Sequence, residues 1–365
     1  MLRRIFKPIV IVCFLSVVLP ASAITVTVNA DAAKAVLQAL QNPSLSYDDA
    51  LKIAQLPGNQ GIIRKENEFK VPVTSESFAN ALVAVAHGQK VTDPDQANFF
   101  FDIVKPKAPQ LLELVRKIEA NPETFQASIE KRIGLFTLPG SDIRLQGYIV
   151  AGGDGGGYAF GDTNFYLNLG FTDDIVLAKS ATTHELYHAV QGAFAEQRGP
   201  AAEPAGLTLS PVKQACASTA RLFASLYEEG TATYVEDISL LPQSHSESAT
   251  RKLADMTDGL RHIHDSATLL ELSVIGLRSA NAVPFDDVYD VGFLGHGVLY
   301  NIGYVMAKAI VENDGPQGLA AFLKQPPYKF VLRYTQLPAY GMNKDHPKLG
   351  LNTIDAANQL ANRCN

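Results

Sequence analysis

The sequence contains no tryptophan, three cysteines and four methionines. Large apolar volume therefore falls to 18 phenylalanines and 13 tyrosines, which are enough to fill a core. Charged residues make up only 19% against 47% hydrophobic, a balance that excludes a disordered chain. No Lys/Arg run occurs and the net charge is −6. Nucleic acid is excluded as a partner, because neutralising phosphates requires clustered base. Past the N-terminus no stretch stays apolar over the roughly 20 residues a spanning helix needs. There is no internal repeat. The one biased tract, Gly152-Gly153-Asp154-Gly155-Gly156-Gly157, lacks the Lys-Ser/Thr of a P-loop and a following helix, and reads as a flexible connection between strands. The 365 residues suffice for one large domain or two ordinary ones.

The first 23 residues have the grammar of a secretory signal. Arg3, Arg4 and Lys7 form a positive start, Pro8 to Leu19 is apolar apart from Ser16, and Ala21-Ser22-Ala23 is a small-residue cleavage site ahead of Ile24. An apolar run of about a dozen residues is short for an anchor. Cys13 lies within that run, which argues against a lipoprotein. The expectation is cleavage after Ala23, a secreted or periplasmic protein and no membrane insertion afterwards. Removing the leader takes the charge from −6 to −9, since it carries three bases and no acid. Cys216 and Cys364 then remain, able to pair in an oxidising compartment or to stay as two free thiols.

Residues 24–28 alternate as a short strand, and 30–135 are mostly helical in pattern, with Ser46 and Ser75 as N-caps and Pro57-Gly58 as a stop. Residues 143–151 and 165–169 read as strands on either side of the glycine tract. Helical patterns follow near 175–197, 213–237, 247–263, 287–312 and 316–324, with a loop by composition at 199–211. The chain is therefore expected to be α+β and predominantly helical. Its expected divisions are the leader (1–23), a helical N-terminal subdomain (24–140) and a core (141–365).

The chemistry lies at His184-Glu185-Leu186-Tyr187-His188. Histidines four apart project from one side of a helix, so both imidazoles can reach one metal ion. Neutral imidazoles suit Zn²⁺, and Glu185 can reach a zinc-activated water without being a ligand. Ile175, Val176, Leu177, Leu186, Ala189 and Val190 make this helix at least half buried, where unpartnered histidines would be costly. A catalytic zinc needs a third protein ligand from another element. His262-x-His264, by contrast, reads as a surface pair.

Residues 226–237 read LYEEGTATYVED, and H-E-x-x-H paired with a later E-G-x-x-x-Y helix resembles the gluzincin (peptidase MA-like) metallopeptidases. The nearest pattern is that of the aminopeptidase N type, N-E-G-F-x-x-Y. The resemblance implies Glu229 as third zinc ligand, followed by Gly230 and with Tyr234 in step; Glu228 stands at the family's asparagine. Residues 300–319 resemble that family's Y-x-K-G helix and G-G-P, which implies Tyr300 as the oxyanion donor, with Gly303 and Gly315-Pro316 in step and Ile302 in place of the lysine. His296 and Tyr304, one turn either side, are alternative donors. The G-x-M-E-N strand that holds a free amine has no counterpart in the glycine tract, so aminopeptidase activity does not carry over. The resemblance covers about 150–325 and lies closer in style to little-characterised zinc peptidases of the same clan. It implies a zincin-like catalytic core with a small antiparallel sheet, cleaving peptide or protein substrates, with the strand near 145–151 running beside the substrate. Glu236, Asp237 and Asp290 are candidates to orient the ligand histidines. The alternative is a zincin-fold binding protein with a structural or vestigial zinc site.

Overall fold

Strand β2 (Asp142–Val150) alternates exposed and buried side chains over its first half, with Ile143 and Leu145 buried, and ends fully buried at Ile149 and Val150. That burial follows from its place inside the sheet. In the computed structural model, which describes residues 23–120, 122–198, 210–362 and 364, the strand order is β1-β2-β4-β3. β1 (Ala23–Asn29) and β4 (Asn164–Asn168) pair parallel with β2, and β3 (Gly157–Ala159) pairs antiparallel with the outer side of β4. The leader through residue 22 lies outside the described residues, as does most of the 199–211 loop.

The small sheet is thus mixed, which corrects the antiparallel expectation. Parallel pairing needs a crossover, and the helices between β1 and β2 provide one. Between β2 and β4 the glycine tract and β3 turn the chain through a full reversal and back, so only the tightly linked β3 and β4 run opposite. β2 has both edges occupied and cannot add a substrate strand. The outer edge of β3 carries no ladder partner among the described residues.

Helices cover both faces of the sheet, and one continuous apolar core runs from Ile24 to Leu360. On one face lie the helix Asp31–Ala39 and the helix Pro57–Glu68. The second of these was not expected, since Pro57-Gly58 reads as a stop. Proline is tolerated at the first helical position, where its missing N–H has no partner to lose, and Pro57 opens the helix there. Ser46 caps the helix Tyr47–Ala54 by accepting the Asp49 N–H, whereas Thr74 rather than Ser75 caps the helix Ser75–Ala86.

On the other face lies the helix Ile175–Ala193, the histidine helix. Asp174 caps it by accepting the Leu177 N–H at 2.8 Å. Behind it run the glutamate helix, Pro211–Val235, and the tyrosine helix, Val298–Ala320, the latter kinked at Gly315, where φ is 76°. The single helix expected over 287–312 is two. Phe285–Phe293 ends before Gly295-His296-Gly297, whose glycines take φ of 64° and 56°, a left-handed turn no helix continues through. A disulfide joins Cys216 of the glutamate helix to Cys364. No helix among the described residues is long and apolar enough to cross a membrane.

Candidate metal centre

His184 and His188 stand one turn apart on the histidine helix, with their Nε2 atoms 3.1 Å from each other. Glu229 comes from the glutamate helix. Its Oε2 lies 3.5 Å from His184 Nε2 and 3.3 Å from His188 Nε2. Three potential ligand atoms thus converge within 4.8 Å of one another, the only such group among the described residues. Glu229 Oε2 is buried with no hydrogen-bond partner, so the carboxylate is aimed at the space between the imidazoles. Two imidazole nitrogens and one carboxylate oxygen form a donor set that fits Zn²⁺.

The far side of each imidazole faces a polar side chain, bonded in His188 and in ion-pair range in His184. His188 Nδ1 lies 2.8 Å from Gln191 Oε1. The Gln191 amide group donates to the Glu228 carbonyl at 2.9 Å and to Thr231 Oγ1 at 2.8 Å. A carbonyl can only accept, so the amide nitrogen faces Glu228 and the amide oxygen faces His188. His188 therefore donates from Nδ1 and leaves Nε2 free as a ligand. His184 Nδ1 lies 3.4 Å from Glu236 Oε2, in ion-pair range but without hydrogen-bond alignment. Glu236 is 1% exposed and is itself paired with Lys252 Nζ at 2.6 Å.

Of the three candidates for orienting the histidines, Glu236 is thus the one in contact. Asp237 pairs with Arg132 at 3.9 Å, and Asp290 is exposed. Gln191 was missed, although its spacing three residues after His188 puts it on the same helical face. Glu228 is no part of the triad. It accepts from Arg198 Nη2 at 2.7 Å, while Arg198 Nη1 donates to the Gln191 carbonyl at 2.8 Å.

Electrostatics bind the triad together. Burial alone would lower the pKa of His184, but Glu229 and Glu236 outweigh it and push it up to about 10. His188 is raised against the same burial by Glu229. Burial opposes ionisation of Glu229, yet the two histidines hold its carboxyl well below the usual range. A buried anion balanced by two imidazoles is a site where a divalent cation can replace protons.

Glu185 packs against the sheet. A Cβ on Gly157 would lie 2.8 Å from Glu185 Cγ and 3.0 Å from Oε1. Only glycine leaves room for this carboxylate beside β3. Tyr300, near the start of the tyrosine helix, packs its ring edge-on to Phe293 at 5.8 Å. Its hydroxyl is raised far above its ordinary pKa by burial first, then by the charge and hydrogen bonding of Glu229. Tyr304 does not share these surroundings: its ring lies 5.8 Å from Tyr234, and after burial its neighbours are Tyr234 and Asp237. His296 is exposed in the turn before the helix. His262 pairs at the surface with Asp265 at 3.3 Å, away from the triad.

The sequence matches, over residues 51–340, the model of a family described as "Putative zinc dependent peptidase (DUF5700)". None of the curated proteins or solved structures compared with it matches the chain.

Proposed function

The chain belongs to this family of zinc-dependent peptidases, and from that premise we propose that it is an exported, gluzincin-type metallopeptidase in which Glu185 is the general base. The observation that carries this reading is the convergence of His184, His188 and Glu229, with Glu185 on the same helix lodged against Gly157 of a free-edged strand. His184, His188 and Glu229 would hold the zinc. When bound, the metal supplies a Lewis acid that polarises a carbonyl and makes water a better acid.

The chain's own residues do the rest. An extended peptide adds to the outer edge of β3 through backbone hydrogen bonds, which brings its carbonyl groups past Glu185. Glu185 accepts the proton of the attacking water and returns it to the leaving amine. Tyr300, whose buried hydroxyl keeps its proton, donates to the oxygen on which negative charge develops. Gln191 and Glu236 hold the two imidazoles in their ligating orientations. The intact Glu185 favours an enzyme over a binding protein, since a structural zinc site has no use for a base.

The test uses the exported form of the protein. Glu185→Gln is expected to retain one zinc and to lose hydrolysis of a generic peptide substrate. Glu229→Ala is expected to lose the metal. A Glu185→Gln variant that cleaves at the wild-type rate would remove the proposed base.

A further inference from the structure

The helix Pro57–Glu68 reaches the glycine tract just ahead of β3 with two consecutive charged residues. Glu66, 2% exposed, accepts the Asp154 N–H at 3.1 Å. Lys65 donates from Nζ to the Asp154 carbonyl at 2.6 Å. A Cβ on Gly155 would lie 2.4 Å from that ammonium nitrogen, so it rests directly on the turn. Gly155 precedes Gly157 by two residues, at most about 7 Å of chain. The Lys65 charge is also close enough to Glu185 for the two to interact.

This ammonium is flanked by the ring of Tyr158 at 4.5 Å and by that of Phe69 at 5.5 Å. Its acidic neighbours are already engaged: Glu66 accepts from Asp154, and Asp154 Oδ1 accepts the Gly155 N–H at 2.8 Å. Among the described residues no carboxylate makes an ion pair with Lys65. Asp154, Glu66 and Glu185 act on this charge from a distance, but a cation partly removed from water, with rings on two sides and no carboxylate in direct contact, has room to take one. Phe69, 66% exposed, leaves the approach from solvent apolar.

We propose that Lys65 forms a subsite for a substrate carboxylate, so that the preferred substrate carries an acidic group within one or two residues of the cleaved bond. This rests on the peptidase reading and on peptide addition at β3. Side chains of an added strand face alternately to the two sides of the sheet. Those facing the histidine helix meet the metal centre, and those facing the other way meet Lys65, Tyr158 and Phe69. The carboxylate has two sources, an Asp or Glu side chain or the C-terminus of the peptide.

Matched fluorogenic peptides separate these cases. One series carries Glu, Gln or Lys at each position flanking the bond, and each member is made with a free and an amidated C-terminus. Wild-type enzyme is expected to favour Glu over Gln at one position by about tenfold in kcat/KM, the size of one charge-assisted hydrogen bond. If the C-terminus is the ligand, amidation causes that loss instead. The ratio is expected to fall to about one in Lys65→Met, to persist in Lys65→Arg and to invert toward Lys in Lys65→Glu. A merely structural lysine would not produce the inversion, and equal ratios in wild type and Lys65→Met overturn the subsite. If wild type cleaves none of the peptides, the peptidase reading fails separately. Calorimetric binding of the same Glu and Gln peptides then decides: tighter binding of Glu that vanishes in Lys65→Met keeps the subsite, and equal binding removes it.

Discussion

Gly230 and Gly303 bring two helices together backbone to backbone. A Cβ on Gly230 would lie 2.3 Å from the carbonyl carbon of Gly303, and one on Gly303 would lie 2.6 Å from the Leu226 carbonyl oxygen. Glu229 precedes the first glycine by one residue, and Tyr300 precedes the second by one turn. The helix–helix contact therefore sets the distance between the Glu229 carboxylate and the Tyr300 hydroxyl.

The first prediction follows from that contact. Gly303→Ala must push the tyrosine helix away, because the clash is with backbone that cannot rotate aside. His184, His188 and Glu229 lie on the other two helices and keep their mutual geometry. Zinc content is expected to stay at one per chain while kcat falls by as much as ~100-fold, the scale for a misplacement of about 1 Å. Metal analysis and steady-state kinetics on one preparation check this. An unchanged kcat would detach Tyr300 from the mechanism.

Gln191 offers a second handle, on affinity. Its amide locks the tautomer of His188 and is anchored to the glutamate helix through the Glu228 carbonyl and Thr231. Gln191→Leu keeps the volume and removes all three bonds. The zinc dissociation constant, measured by chelator competition, is expected to rise about 10–100-fold. The apo protein should melt close to wild type, within about 1–3 kcal/mol for the unpaired polar groups left behind. An unaltered dissociation constant would mean that helix packing alone orients His188.

These two residues mark what the sequence makes legible and what it does not. His184 and His188 stand out because helical periodicity is local, and the apolar helix around them follows from the same short-range pattern. Gln191 is within reach of that reasoning, three residues on. β3 is not: three residues, Gly-Tyr-Ala, starting on the last glycine of the tract, carry no alternation, and strand identity there comes from pairing with β4. The parallel sense of β1 and β2 depends on a crossover of more than a hundred residues, which no local signal encodes. Lys65 is invisible for the same reason, since its meeting with Asp154 spans 89 residues.

A third prediction concerns pH and stability away from the metal centre. Glu271 caps the helix Leu351–Asn362 from a distance. Its carboxylate accepts the N–H groups of Asn352 at 2.9 Å and Thr353 at 2.8 Å, and both side chains as well. Burial works to raise its pKa, but the bonds from Thr353 and Asn352 outweigh it and hold it below its ordinary 4.5. A depressed folded-state pKa contributes stability that is complete above the unfolded value and is lost as pH falls through the folded one. Wild-type melting temperature minus that of Glu271→Gln is therefore expected to be positive at pH 7 and to shrink as pH drops below about 4.5. A difference independent of pH between 7 and 3 would mean that the carboxylate charge is not what holds the helix.

The disulfide provides the last test, because it separates stability from chemistry. Cys216 lies on the glutamate helix 13 residues before Glu229, about 20 Å along the axis at 1.5 Å per residue. Its partner Cys364 closes a loop with a sequence separation of 148. Restricting so long a loop in the unfolded chain stabilises the fold by about 2–5 kcal/mol. The C-terminal helix has further attachments, with Ala356 and Ala357 fully buried and Arg278 bonded to Gln359. Those contacts should hold it in place in the folded state. Replacing both cysteines by alanine is thus expected to lower the melting temperature while zinc content and kcat at 25 °C stay as in wild type. A double variant that melts like wild type would show that the packed helix, not the covalent link, secures the C-terminus. Loss of zinc in that variant would mean instead that strain at residue 216 travels the length of the glutamate helix to Glu229.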